Sequence, residues 1–291
     1  MTRRLAVLVN PTAGKGRGER NAARALPVLR NAGLDMVELR GRDADEAEDL
    51  ARDVVARGVD GLVVVGGDGM ANLAAQVLAG TDIPFGMIPS GTGNDVARYL
   101  DLDRKDAARA AHVVVGGRTR SIDLADVDGT KVVTVVCTGF DSKVSERANH
   151  MTWPRGQMRY NLATLSELRV FQPIQYALEL DGERVELDAM LVAVGNGRSY
   201  GGGLRICEGA ELDDGLLDVV IIKPMSKPEL VRVYPRLFKG THVTHPAYEH
   251  HRVASVSIHA SGLVGYGDGE RIGALPFTVR ALPGSLRVFV P

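Results

Sequence analysis

The stretch LVVVGGDGMANLAAQ, Leu62–Gln76, changes character twice within fifteen residues. Its opening run of leucine and valines has the length and β-branched content of a buried strand. The run stops at Gly66-Gly67, holds one carboxylate, Asp68, ahead of Gly69, and continues as MANLAAQVLAG, which reads as a helix. Neighbouring segments repeat the pattern. LAVLVN (5–10) reads as a buried strand, GERNAARALPVLRNAG (18–33) as a helix ending at Gly33, and LDMVELR as a strand again. DADEAEDLARDVVARG (43–58) reads as a helix with acids in its first turn and Gly58 at its end; IPFGMIP then reads as strand and NDVARYL as helix. This alternation predicts an α/β domain over residues 1–123, with a mostly parallel sheet covered on both faces.

From residue 124 the texture becomes β-rich, with runs such as KVVTVVCTGF, LLDVVIIK and VASVSIHAS. ELDGERVEL carries an Asp-Gly turn between alternating residues, a hairpin signal. Helical interludes are expected near 154–170 and 226–240. Residues 124–280 therefore read as a sandwich or barrel, and 281–291 as a terminal strand packing back on the first domain.

With 35 Lys+Arg against 36 Asp+Glu the chain carries a formal charge of −1, which offers no footprint for a large polyanion, so nucleic acid is excluded as the expected partner. Cys137 and Cys207 lie in no CxxC and read as buried thiols in a reducing compartment. LAVLVN is too short for a secretory segment, and no apolar run approaches the ~20 residues of a membrane span. A cytoplasmic protein whose membrane contact is peripheral is expected. His242, His245, His250 and His251 crowd together without acidic spacing and read as a solvated loop. Met158, Leu162, Leu165 and Leu168 recur near helical spacing and read as core, or as the lining of an acceptor cleft.

Three glycine-containing turns follow strands of the first domain. VNPTAGKGRG (9–18) fits neither the P-loop, because Gly16 follows Lys15, nor the dinucleotide fingerprint, because Glu19 stands where the third glycine belongs. GGDG (66–69) lets backbone amides approach an anion at the positive end of a helix. Asp68 complicates that picture. A carboxylate beside phosphate is repulsive unless a cation or a transferable proton intervenes, which is the arrangement of phosphoryl transfer; the alternative is that Asp68 merely caps the helix. PSGTGNDVAR (89–98) supplies Thr92 and Asn94 as donors and Asp95 as a cap or a member of a metal–water network. Parallel strands joined by right-handed crossovers place such turns on one sheet edge.

NPTAG, GGDGM and PSGTGND in this order, with SID at 121–123, GFD at 139–141, LDDGLLDV at 212–219 and YGDGE at 266–270, resemble the diacylglycerol kinase catalytic-domain family, which also embraces sphingosine and ceramide kinases and bacterial lipid kinases. The resemblance spans nearly the whole chain and implies a Rossmann-like, NAD kinase-like first domain. It implies ATP held by Asn10, Thr12, Gly66, Gly67, Asp68, Gly69, Thr92, Asn94 and Asp95, and Mg²⁺ held through water by Asp68, Asp95 and Asp123. It puts Glu270 at the general base, with Asp123 as the other candidate. Asp213, Asp214 and Leu216 fall where some bacterial members bind a structural Mg²⁺, although Asp213-Asp214-Gly215 also suits a simple turn.

A lipid hydroxyl is a poor nucleophile near neutral pH, so a carboxylate must accept its proton as the new P–O bond forms. The implied activity is γ-phosphoryl transfer from ATP to a lipid hydroxyl, with diacylglycerol giving phosphatidic acid as the first expectation. A sphingoid base or glycolipid is the alternative acceptor. A soluble-substrate kinase and a non-catalytic nucleotide- or lipid-binding protein are the rival classes. The expected site of action is the inner membrane face, and a homodimer is compatible with the resemblance. Met70 stands where diacylglycerol kinases carry threonine and sphingosine kinases leucine, which removes any threonine contact to phosphate.

Overall fold

The structure is a computed structural model that describes residues 2–154 and 157–291. The chain divides into two compact units, Met1–Leu124 with Leu282–Pro291, and Ala125–Ala281.

In the first unit β1 (Arg4–Val9), β2 (Asp35–Leu39), β3 (Gly61–Gly66) and β4 (Phe85–Pro89) run parallel in the order β2-β1-β3-β4. Every residue of β3 and β4 is buried. That explains the unbroken apolar runs, since helices cover both faces and neither side of the strand meets water. The helices are α1 (Ala13–Asn31), α2 (Ala44–Ala56), α3 (Asp68–Leu78), α4 (Asp95–Tyr99) and α5 (Ala107–Gly116). α1 lies beside α5, and α2 beside α3. Asp43 caps α2 by accepting the Glu46 amide at 2.9 Å, and Asp106 caps α5 by accepting the Ala108 amide at 3.0 Å. Each such cap contributes about 1 kcal/mol. β5 (Thr119–Val127) leads out of this unit, and Val288 near the chain's end pairs in parallel with Phe85 of β4.

The second unit begins with β6 (Thr130–Val132), β7 (Val135–Gly139), α6 (Phe140–His150) and α7 (Gln157–Val170). β8 (Ile174–Leu180), β9 (Glu183–Ala189), β10 (Leu191–Gly195), β11 (Leu217–Ile222) and α8 (Lys227–Leu237) follow. It closes with β12 (Tyr248–Val253), β13 (Ser255–His259), β14 (Val264–Gly267), β15 (Glu270–Ala274) and β16 (Phe277–Phe289), whose end returns to the first unit. One antiparallel sheet has the order β12-β11-β10-β7-β14-β15, and the first residues of β16 join β13, β8 and β9 in a second. Val192, Val194, Val219 and Ile221 share a core with Tyr176, Leu178, Val256 and Ile258 of the second sheet. Leu191, Ala193, Val220 and Ile222 point the other way, into a cluster with Phe140 and Val144 of α6 and Leu230 of α8. The sheet is thus covered twice, and β10 and β11 read as continuous apolar runs although they are antiparallel. β8 and β9, with one face open, alternate instead.

The α/β half and the antiparallel sandwich match the expected fold class, and three local expectations change. The strand expected to run to Phe140 ends at Gly139, whose φ of 79° turns the chain into α6. The histidine-rich segment is not a solvated loop. His242 is 1% exposed, its Nε2 bonds to the Ile206 carbonyl at 3.0 Å, and burial lowers its pKa. His250 and His251 stand on β12, and His250 lies 2.6 Å from the buried Asp218 carboxylate. On α7 Met158 is 60% and Leu162 37% exposed, so these two are not core; the side chains of Leu165 and Leu168 lie outside the described residues.

Candidate active site

β1, β3 and β4 end side by side, and each releases the chain into a glycine-containing turn that opens a helix. The amide of Asn10, just past β1, donates to the Val65 carbonyl at 3.0 Å, and that of Ser90, just past β4, to Gly66 at 2.7 Å. Asn10 Oδ1 accepts from the Thr12 amide at 3.1 Å and from its hydroxyl at 2.9 Å, which folds the first turn over the strand end. In the third turn Asn94 is left-handed, at φ 54°. Its Oδ1 accepts the Gly91 amide at 2.9 Å and its Nδ2 donates to the Gly91 carbonyl at 3.0 Å, so this side chain shapes the loop. Thr92 is exposed on the same loop.

Side chains then tie turn to turn. Asp68, first residue of α3, accepts the Val96 amide of α4 at 3.1 Å, and so joins the second turn to the third. The N-cap position of α3 itself is Gly67. Arg17 Nη2 donates to the Gly91 carbonyl at 2.6 Å and its Nε to Gly14 at 3.1 Å, joining the first turn to the third. Asn21 Nδ2 donates to the Pro89 carbonyl and to Ser90 Oγ, both at 3.0 Å. The backbones touch as well. A Cβ on Gly91 would stand 2.5 Å from Gly67 Cα, and one on Gly14 would stand 2.1 Å from the Ser90 carbonyl oxygen. A Cβ on Gly66 would meet Met70 Cγ at 2.4 Å, which shows the methionine folded back over the strand end.

The result is a lip of peptide groups at the carboxyl edge of a parallel sheet, carrying the N-terminus of the eleven-residue α3. The helix's positive end favours a phosphate there. Asp95 is buried and its Oδ1 lies 3.3 Å from Arg98 Nε. Asp123 is buried on β5 and accepts the Gly284 amide at 2.7 Å. Asn10, Thr12, Gly66, Gly67, Asp68, Gly69, Thr92, Asn94 and Asp95 all belong to the three adjoining turns. Among the described residues no group of three His, Cys, Asp or Glu is placed to bind a metal.

In the second unit YGDGE forms the β14–β15 hairpin. Gly267 pairs with Glu270 across a two-residue turn in which Asp268 and Gly269 have φ of 53° and 91°. Positive φ at both positions suits an Asp-Gly hairpin turn. Asp268 Oδ2 accepts the Val133 amide at 2.7 Å, and Oδ1 accepts the Thr134 amide at 2.8 Å and its hydroxyl at 2.6 Å. Asn196 Nδ2 donates to the Val133 carbonyl at 2.9 Å. The hairpin is therefore clamped to the segment between β6 and β7, and Glu270 projects from it exposed.

Asp214 Oδ1 accepts the Leu216 amide at 3.0 Å while its other oxygen pairs with Arg252, so both oxygens serve a turn and its anchor. Asp213 is exposed. Asp141 of the GFD segment accepts the Tyr200 hydroxyl; burial pushes its carboxyl up to about 6, partly offset by that hydrogen bond. The same burial raises the Tyr200 hydroxyl and the Cys137 thiol. Residue-type patterns did not single out Arg17, Asn21 or Asp268. For Asp268 the signal was available, as an Asp-Gly pair between alternating strand residues.

Comparison with known proteins covers both units. Residues 4–127 match the model of the diacylglycerol kinase catalytic domain, and residues 134–290 match that of the YegS C-terminal NAD kinase beta sandwich-like domain. A Mycobacterium tuberculosis protein named diacylglycerol kinase is 43% identical over 99% of this chain and 95% of its own length. A Pseudomonas fluorescens protein named "Probable lipid kinase YegS-like" is 31% identical over 100% of this chain and 97% of its own. A solved Bacillus anthracis chain superposes with a TM-score of 0.83 at 25% identity, over 99% of this chain and 95% of that one.

Proposed function

The chain belongs to the diacylglycerol kinase catalytic-domain family, a family of lipid kinases, and from that premise we propose that it transfers the γ-phosphoryl group of ATP to diacylglycerol, giving phosphatidic acid. The observation that carries the nucleotide half is the lip of three cross-tied turns at the carboxyl edge of β1, β3 and β4. The acceptor half is supported by the name of the relative at 43% identity. The YegS-like relative at 31% keeps another lipid alcohol as the second reading.

In this proposal Asn10, Thr12, Gly66, Gly67, Gly69, Thr92 and Asn94 receive ATP through backbone amides and short polar side chains. Mg²⁺ typically keeps several waters and takes one or two carboxylates besides nucleotide phosphates. The residues fit such an ion. Asp68 and Asp95 stand at the starts of α3 and α4, and in this proposal they would hold it through water together with Asp123 on β5. When bound, the ion offsets charge on the phosphoryl group being transferred. Glu270, exposed on its clamped hairpin, accepts the proton of the attacking lipid hydroxyl; Asp123, which already accepts the Gly284 amide, is the second candidate. The Asp213–Leu216 turn stays outside this proposal, because both oxygens of Asp214 are already engaged. In the same proposal the chain makes peripheral contact with the inner face of the membrane, where the lipid acceptor resides; among the described residues no helix is long and apolar enough to cross a membrane.

The test is incubation of pure protein with γ-labelled ATP and Mg²⁺ in mixed micelles of diacylglycerol, monoacylglycerol, a sphingoid base or a glycolipid. Label should enter the organic phase fastest with diacylglycerol. Faster transfer to another lipid would select the second reading, and ATP binding without transfer to any would sink both.

A further inference from the structure

Every large hydrophobic side chain that the described residues expose lies in one of two stretches. Trp153, Met158, Leu162 and Val170 belong to α7 and the loop before it; Val231 and Phe238 belong to the α8 segment. Their exposure is substantial, 76% for Trp153, 55% for Val231 and 49% for Phe238. A soluble surface scatters such residues singly, and their confinement to neighbouring elements marks an interaction face.

The two helices are neighbours. Lys227 at the start of α8 donates to the Arg169 carbonyl near the end of α7, and Tyr234 hydrogen-bonds Thr164 at mid-helix, so the pair runs antiparallel. Val231, Tyr234 and Phe238 recur at helical spacing, with the Tyr234 and Phe238 rings edge to face at 6.1 Å. On α7 the buried side carries Ala163 and Glu167, while Met158 and Leu162 take the opposite side, toward solvent.

Charge selects the occupant. Glu167 is buried against Arg147, and Glu229 faces His245 at 3.3 Å. Arg232 and Lys239 are exposed beside Val231 and Phe238, and neither joins an ion pair among the described residues. Apolar side chains with an uncompensated basic rim are what an anionic lipid surface binds, the former entering the headgroup boundary and the latter meeting lipid phosphates.

We propose that the solvent face of α7 and α8, with Trp153, Met158, Leu162, Val231 and Phe238 as the inserting residues and Arg232 and Lys239 as the cationic rim, docks this protein on anionic bilayers. The proposal takes its purpose from the lipid kinase assignment, since the acceptor resides in the membrane, but binding is measured without catalysis.

Trp153 is the chain's single tryptophan, so its fluorescence reports the event directly. The full chain is mixed, without ATP or diacylglycerol, with vesicles of phosphatidylglycerol and phosphatidylcholine or of phosphatidylcholine alone. The expected result is a blue shift and co-sedimentation with the anionic vesicles, weakened at least about tenfold by Val231→Glu/Phe238→Glu and made less sensitive to salt by Arg232→Gln/Lys239→Gln. Both double variants should keep wild-type circular dichroism and wild-type phosphorylation of a short-chain, water-dispersed acceptor. Anionic vesicles that leave Trp153 unshifted, or that bind the Val231→Glu/Phe238→Glu protein as well as wild type, overturn the proposal. So does a wild-type dimer that this variant splits while vesicle binding stays unchanged, because the face would then belong to a second copy. If no lipid of any kind is phosphorylated yet the predicted binding pattern holds, the catalytic assignment fails and the docking face stands.

Discussion

Gly-Asp-Gly occurs in both units, at 67–69 and at 267–269, and the two copies fold differently. After the first come Met70, Ala71, Asn72 and Leu73, and Asp68 is already the first residue of a helix. After the second comes the start of a strand, Asp268 and Gly269 take positive φ, and the chain reverses in two residues. The residues that follow, not the tripeptide, decide the conformation. Yet each aspartate does similar work, for Asp68 holds the Val96 amide and Asp268 holds those of Val133 and Thr134. In each unit a turn that would otherwise be a surface loop is pinned by a carboxylate to a second segment.

Breaking the first clamp chemically while keeping its geometry should have the largest effect. Asp68→Asn retains an oxygen for the Val96 amide but loses the charge, so we expect kcat to fall by ~10²–10³-fold while the melting temperature stays near wild type. Steady-state kinetics beside calorimetry checks this, and wild-type kcat would remove Asp68 from the chemistry. Breaking the second clamp should act on stability first. Asp268→Ala leaves the Val133 and Thr134 amides without their acceptor, for an expected loss of about 2–4 kcal/mol in denaturant unfolding, with turnover falling as the Glu270 hairpin loosens. An unchanged unfolding midpoint would mean the hairpin is held elsewhere.

Gly91→Ala sharpens the comparison from the side of the partner segment. Its Cβ would meet Gly67 Cα, a backbone atom, at 2.5 Å, so the second and third turns must separate. The expected cost is about 1–3 kcal/mol, with weaker ATP binding by calorimetry. The effect expected at Asp141 is confined to one pH range. Burial raises its folded pKa to about 6, above the ordinary value of 3.8, so it favours the folded state below the lower value and loses that contribution as pH rises through 6. Asp141→Asn should therefore leave stability at pH 4 little changed and raise it relative to wild type at pH 7. A gain of equal size at both pH values would contradict the titration.

The sequence was most legible where a feature is local and periodic. Alternating buried strands and capped helices over 1–123 announce themselves, because burial on two faces forces unbroken apolar runs and Asp43 and Gly58 punctuate the helix between them. The glycine turns were legible for the same reason. What ties them was not. Arg17 and Asn21 are helix residues whose partners, Gly91 and Pro89, lie 74 and 68 positions away, and no local pattern encodes such a bond. α6 was missed because SKVSERANH offers only Val144 and Ala148, one turn apart, amid polar residues, and packing on β7 and α7 secures it. His242 misled because a polar, histidine-rich segment resembles loop, whereas its buried ring is held by one carbonyl.

The most direct measurement follows labelled phosphate from ATP into diacylglycerol in mixed micelles, for wild type and Glu270→Gln side by side, with ATP affinity measured on both. We expect organic-extractable phosphatidic acid from wild type, at least ~10²-fold less from the variant, and equal ATP affinity. No lipid-soluble label from wild type with any acceptor would contradict the lipid kinase assignment, and near-normal transfer by Glu270→Gln would move the base to Asp123.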